Sequence, residues 1–314
     1  VSDNQHTEHS VTVDAPARSV YDLVADVTRW PAFFAPTVHA RVLEHRDGRE
    51  RIQLWAYANG EVRTWTSRRE LDPDRLRVDF RQEVSTPPVA AMGGQWRMEP
   101  LDEGRTRLVL THDYRAVDDD PAGAEWIARA VDRNSESELA GVKRIAEEHA
   151  RLDELLLTFE DEVEIAGAAP DVFDFLNRAD EWPERLPHVD RLELREDVPG
   201  IQHMVMDTRT ADGSVHTTTS VRVCFSPTGI VYKQTQVPKL MTAHTGEWRL
   251  DEGADGVRLT SRHTVLLKPS AIDGVLGAQA TIADARSYVR TALGRNSLAT
   301  MGLAKRYAEA LTRG

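Results

Sequence analysis

A single cysteine, Cys224, leaves the chain unable to form an internal disulfide, and with no second thiol or histidine cluster beside it in sequence it makes no metal site. It reads as a strand residue. Lysine is scarce as well: nearly all of the 39 basic residues are arginine, and 51 acids outnumber them for a net charge of −12. That balance argues against nucleic acid and anionic membrane surfaces as partners, since both reward basic patches. Nowhere do apolar residues run for the ~18 positions that a membrane-spanning helix needs. The stretch from Val1 to His6 lacks the basic-then-apolar order of a secretion signal, so a cytoplasmic protein is the expectation. There is no glycine-rich phosphate loop, no nucleotide fingerprint and no His, Asp or Glu set at metal spacing. No cofactor and no metal is therefore expected, and Asp118-Asp119-Asp120 before Pro121 reads as a solvated loop.

What is present describes a globular chain, with 40% hydrophobic and 29% charged residues. Its 314 residues suit two domains, each large enough for a sizeable core. The chain also repeats itself. Val11 and Val13, then Ala15-Pro16, Val20, Leu23 and Trp30-Pro31, are echoed by Val163 and Ile165, Ala169-Pro170, Val172, Phe175 and Trp182-Pro183. Gly60 to Arg69 lines up with Gly213 to Arg222, Gly94-Gln95-Trp96 with Gly246-Glu247-Trp248, and Arg133-Asn134-Ser135 with Arg295-Asn296-Ser297. Matches in one order mark a duplicated domain. The copies are residues 1–152 and 153–314.

Each copy reads as a short strand, a helix opened by proline and ended at Trp-Pro, a run of alternating strands, and a long closing helix. In the first copy the strands fall at 43–44, 52–58, 62–71, 76–82, 95–99 and 107–114, separated by turn signals such as Asp47-Gly48 and Asn59-Gly60. The closing helix is expected from about Ala122 to Leu155, with Asn134, Gly141, Val142 and Ile145 on one face. This is an α+β architecture whose antiparallel sheet can curl around the long helix and leave a cavity between them.

The stretch from Thr64 to Leu71 carries polar groups that folding does not require. Strand alternation puts Trp65, Ser67, Arg69 and Leu71 on one side, opposite a polar face of Thr64, Thr66, Arg68 and Glu70. A tryptophan and a leucine mark the first side as inward, where an arginine is costly unless a ligand or acid meets it. The alternative is an arginine that snorkels to the rim and pairs with a nearby acid. In the second copy Ser220 and Arg222 recur, but Thr218 replaces the tryptophan, and Val215, Val221 and Val223 occupy the opposite strand face. Either that outer face packs on the other domain, or Arg222 is exposed and inert.

The element order, together with Trp30-Pro31, Trp65-x-Ser67-x-Arg69, Gly94-x-Trp96 and Asn134, resembles the helix-grip fold of START and birch-pollen-allergen-like proteins. Within that superfamily it resembles the polyketide aromatase/cyclases of bacterial type II polyketide synthases, and two tandem copies resemble the didomain members. The resemblance implies a cofactor-independent enzyme. It would cyclise an acyl-carrier-protein-bound poly-β-ketone, closing the first ring between carbons seven and twelve, and then dehydrate and aromatise it. The implied partners are the carrier protein, a minimal synthase and, where the chain is reduced first, a ketoreductase.

Such chemistry needs a water-poor cavity, a positive group for the enolate and a proton relay for the leaving hydroxide. Arg69 suits the second role, and Arg222 is its counterpart. Ser67 and Tyr57 are candidates to carry the proton, although each hydroxyl also fits an ordinary strand residue. Trp30, Phe34, Trp65, Met92 and Trp96 could wall the cavity, with plain core as the competing reading. His112 on its alternating strand is a structural histidine or a base, and Asn134 orients substrate or caps a buried backbone group. In the second copy Ser220, Tyr232, His244, Trp248 and Asn296 are the corresponding candidates. Because the first copy's inward assignment is unforced, it is the expected seat of catalysis. The alternative functions are a non-catalytic carrier of a hydrophobic polyketide or lipid, and a scaffold in which one copy has lost its site. A carrier would have no buried charge in its cavity, and a lost site would leave cavities of unequal size.

Overall fold

The computed structural model describes residues 4–148, 151–209 and 213–312. It divides into two units, Val1–Leu152 and Asp153–Gly314, each built on one seven-stranded sheet with every pairing antiparallel.

The first unit runs β1 (Gln5–Val13), α1 (Ala17–Ala25), α2 (Trp30–Phe33), β2 (Thr37–Arg46), β3 (Arg49–Ala58), β4 (Glu61–Asp72), β5 (Arg77–Val84), β6 (Val89–Asp102), β7 (Arg105–Ala116) and α3 (Pro121–Glu147). Its sheet order is β1-β7-β6-β5-β4-β3-β2, a meander whose last strand pairs with the first. The turns at Asp47-Gly48 and Asn59-Gly60 hold both residues at positive φ, the backbone that matches the twist of a tight hairpin. The second unit is entered through α4 (Leu152–Leu155) and runs β8 (Leu156–Ile165), α5 (Ala169–Asn177), α6 (Trp182–Arg185), β9 (Val189–Val198), β10 (Ile201–Arg209), β11 (Val215–Phe225), β12 (Gly229–Gln236), β13 (Met241–Gly253) and β14 (Gly256–Leu267). It then adds α7 (Ile272–Leu276), which has no α-helical counterpart among the described residues of the first unit, before α8 (Ile282–Leu311). Its strand order repeats that of the first sheet.

Two expectations from sequence need correction. The long helix of the first copy does not continue to Leu155: α3 stops at Glu147, α4 is a separate turn, and residues 149 and 150 lie outside the described residues. Nor does Trp30-Pro31 end the first helix. α1 stops at Ala25 because Asp26 turns extended and its carboxylate accepts the Thr28 amide at 3.0 Å; Trp30 then opens α2, with Pro31 in a first turn that needs no N–H from it.

In the first unit α3 buries Ile127, Val131, Leu139, Val142 and Ile145 at helical spacing. Two amides pin it: Asn134 Nδ2 donates to the Tyr57 carbonyl and Asn59 Nδ2 to the Trp126 carbonyl, both at 2.8 Å. Further along, Gly141 lets the helix approach α2 so closely that a Cβ would stand 2.7 Å from the Phe33 carbonyl oxygen. Among the described residues no helix is long and apolar enough to cross a membrane. The close approach at Gly141 yields a prediction: Gly141→Ala should lose about 1–3 kcal/mol in denaturant unfolding, because backbone must move to admit the methyl. Gly302→Ala on α8, where the nearest atom is a side-chain nitrogen at 3.8 Å, should be neutral or slightly stabilising.

Candidate active site

Each unit holds a cavity between its sheet and its long helix. The first is about 140 Å³ and the second about 480 Å³. Part of the difference is legible residue by residue, because Trp65 of the first wall is replaced by Thr218 in the second and Trp126 by Tyr288.

Arg69 and Arg222 occupy the same place in their sheets, each on the strand third from the β2 or β9 edge, and each lines its cavity. Both are buried, with 3% and 1% of their surface exposed. They are held alike. Arg69 Nη2 donates to the Ala25 carbonyl at the end of α1 and its guanidinium lies 5.4 Å from the centre of the Trp30 ring; Arg222 Nη2 donates to the Leu176 carbonyl in the last turn of α5 and lies 5.3 Å from the Trp182 ring centre. The negative end of a helix and an aromatic face are both favourable neighbours for a cation.

They differ in counter-charge. The residue opposite Arg69 on β3 is Glu50, whose carboxylate lies 3.4 Å from Nη2 and is also 3.1 Å from His45 Nδ1. The residue opposite Arg222 on β10 is Gln202, which is neutral, and among the described residues no carboxylate pairs with Arg222. Burial lowers the Arg69 pKa to about 10 despite Glu50, and lowers that of Arg222 also. Among the described residues Nη1 of each arginine lacks a hydrogen-bond partner. The snorkelling reading of Arg69 is thus half right: it has an acid, but meets it inside. The reading of Arg222 as exposed is overturned, for Val221 and Val223 on the opposite strand face are buried as well and both faces of β11 are covered there.

A lateral row crosses the second sheet from Arg222. Its neighbour on β12 is Tyr232, then Gly246 on β13, then His263 on β14. A Cβ at Gly246 would stand 2.2 Å from the tyrosine ring, so glycine is what lets Tyr232 lie across β13 and bring its hydroxyl 3.2 Å from His263 Nδ1. His244 Nε2 is 2.9 Å from the same nitrogen, and His263 Nε2 is 2.7 Å from Ser297 Oγ on α8. Burial raises the Tyr232 pKa, drops that of His263 to about 4 and that of His244 well below its ordinary range. Both rings are therefore neutral near pH 7 and able to pass a proton through Tyr232 and Ser297. The first sheet has the same row as Arg69, Phe80, Gly94 and His112. With Phe80 in place of tyrosine the polar path is broken, and His112, neutral with a pKa of about 4, meets the edge of that ring.

The other expected residues sort cleanly. Trp30, Trp65, Ser67, Met92, Trp96, His112 and Asn134 border the first cavity, and Ser220, Tyr232, His244, Trp248 and Asn296 the second. Asn134 also serves a structural end through Tyr57, as one of its two readings required. Tyr57 is not in the cavity wall: Ile52, Leu54, Ala56 and Ala58 line it, and alternation turns Tyr57 to the other face. Phe34 is not in the wall either; it is buried between Trp30 and Trp96 as core. Missed altogether were His263, Ser297 and Glu138. The internal repeat pointed to His263 as the partner of His112, and Glu138 stands one helical turn from Asn134.

A model of the family described as polyketide cyclase/dehydrase and lipid transport matches residues 13–138 and again 165–282. The chain is 50% identical over 296 residues to the granaticin polyketide synthase bifunctional cyclase/dehydratase of Streptomyces violaceoruber, covering 94% of this chain and 91% of that one. It is 46% identical over 303 residues to the corresponding actinorhodin protein of Streptomyces coelicolor, with 93% of each chain covered. Among solved structures it is similar to the di-domain ARO/CYC BexL, at 54% identity and a TM-score of 0.86 over 97% of this chain and 99% of that one.

Two tests follow from the geometry. Glu50→Ala should cost about 3–5 kcal/mol, since it strands the buried Arg69 charge, while Gln202→Ala should cost far less. Denaturant unfolding of the two variants reads the difference. The neutral histidines set the acid limb of stability: their folded pKa values are depressed, so their contribution is complete above the ordinary value of 6.5 and is lost as pH falls towards about 4. Tm measured across that window should drop steeply, and His263→Gln should shallow the drop.

Proposed function

Since the chain belongs to the polyketide cyclase/dehydrase and lipid transport family, we propose that it closes and aromatises the first ring of a poly-β-ketone, with ring closure in the second unit's cavity. The observation that carries this reading is Arg222, a guanidinium buried in the wall of a 480 Å³ cavity with no carboxylate at ion-pair distance among the described residues, Glu196 acting on it only from further away. A lone buried cation is costly to maintain, and it is most useful where negative charge develops and vanishes during a reaction.

In this scheme the chain folds against Trp182 and Trp248, and a carbonyl of the nascent enolate lies against Arg222. Tyr232, hydrogen-bonded to neutral His263, supplies or accepts the proton as the carbon–carbon bond forms, and Ser297 and His244 complete the relay. The carrier alternative is disfavoured by the same arginine, because a passive apolar carrier gains nothing from an unpaired charge. The unequal cavities are what the scaffold reading asks of a copy that has lost its site, and they fit a division of labour between the units equally well. The relatives' membership of polyketide synthases supports delivery of the chain by an acyl carrier protein in the cytoplasm, after a ketoreductase where the chain is reduced first.

The assay is turnover and product profile with chain generated in situ by a minimal synthase. Arg222→Ala should slow ring closure on the order of 10²-fold or more, as loss of one preorganised donor does. Arg69→Ala should slow closure much less while lowering Tm, because its charge is already met by Glu50. A loss of closure confined to Arg69→Ala would return the site to the first unit.

A further inference from the structure

The first unit keeps a smaller cavity, a neutralised arginine and a broken lateral row, yet one group in its wall has no folding role. Glu138 projects from α3 into the lining of the cavity, one helical turn beyond Asn134. Among the described residues it has no hydrogen-bond or ion-pair partner, although the chain is rich in arginine. The residue is only half-buried because part of its surface faces the cavity void. The equivalent position on α8 is Thr300, whose hydroxyl donates to the Asn296 carbonyl at 3.0 Å, so the carboxyl belongs to this unit alone.

The charged groups around it are engaged elsewhere. On β4, Arg69 is held by Glu50 and the Ala25 carbonyl, and Arg63 by Glu61 and the Pro87 carbonyl. On β1, His9 lies 3.1 Å from Asp132, and Glu8 is taken by Arg97 of β6 and Arg107 of β7. His112 on β7 is neutral, Arg18 of α1 pairs with Asp22, and Lys143 of α3 itself pairs with Glu147. Tyr21 and Asp26, near the end of α1, act on Arg69.

We propose that Glu138 is a catalytic acid of the first unit, protonating the hydroxyl that leaves when the closed ring loses water. The proposal rests on the dehydrative function argued above. The step balances within the cavity: the carboxyl proton goes to the departing oxygen as the carbon–oxygen bond breaks. The electron pair of the adjacent carbon–hydrogen bond forms the ring double bond, and that proton returns to the Glu138 carboxylate, so water is the sole by-product. Burial raises the Glu138 pKa to about 8, which keeps the acid protonated at neutral pH. A cavity of about 140 Å³ holds a single ring and not a long chain, which suits a step after closure.

The test is Glu138→Gln in the full chain, with polyketide made in situ by a minimal synthase and two species followed by mass: the linear chain and the closed, still hydroxylated ring. Expected is normal consumption of linear chain, with water loss slowed on the order of 10²-fold and the hydroxylated ring accumulating. The wild type should lose dehydration activity as pH rises through about 8, and the variant should lack that limb. A second readout needs no turnover. A carboxyl whose folded pKa is raised contributes a loss of stability as pH climbs from 4.5 to about 8; below 6.5 the histidines oppose it, so its slope in Tm is read between 6.5 and about 8, and Glu138→Gln should remove it there. Unchanged dehydration and an unchanged alkaline limb would overturn the proposal, as would persistence of the linear chain in the variant. Normal closure in Arg222→Ala would instead sink the earlier reading and leave this one to its own two species.

Discussion

Everything in the two cavities depends on keeping a guanidinium inside a folded domain. Burying that charge is expensive, and the chain meets the cost in the same way twice, with a helix-end carbonyl and a tryptophan face. The short helix, the Trp-Pro turn and the strand bearing the arginine are therefore one unit of design. The carbonyl is available because the helix stops where it does, and the tryptophan is in reach because α2 or α6 follows at once.

What first separates the two arginines is the cross-strand neighbour of each. Glu50 gives Arg69 a counter-charge, whereas Gln202 gives Arg222 only a dipole, and its Nε2 is turned to Glu196 and to Asn177. A paired buried cation is mainly structural; an unpaired one leaves its field in the cavity. The lateral row amplifies the contrast. With Tyr232 the field of Arg222 reaches a hydroxyl bound to a histidine pair, and with Phe80 the corresponding path in the first sheet ends at an aromatic edge. Duplication has left one scaffold with two electrostatic environments.

The glycines at 94 and 246 show how such a row is built. Each stands between the aromatic residue of one strand and the histidine of the next but one, and each is crowded by that aromatic ring. A Cβ at 246 would meet the Tyr232 ring at 2.2 Å, and one at 94 would meet the Thr111 carbonyl oxygen at 1.9 Å as well as the Phe80 ring at 2.7 Å. Glycine in a central strand, usually a weakness, is here the condition for a contact across two strand spacings.

The sequence by itself determined the duplication, the antiparallel succession of hairpins and the parity of β4, because these depend on repeats, turn signals and local periods that the residues express without their distant partners. Alternation alone placed Trp65, Ser67 and Arg69 on one wall, and the repeat alone made Arg222 their equivalent. Parity should also have removed Tyr57, which shares a strand with Ile52, Leu54 and Ala56 but not their face. Phe34 was beyond its reach, since core and wall differ only in which side of a packed aromatic is left open. Only the tertiary structure decided the pairing of Glu50 with Arg69, the reach of Tyr232 over Gly246, and the isolation of Glu138. Those facts are side-chain distances across paired strands and beside a helix, and electrostatic character is set by such distances and by burial rather than by the order of residues.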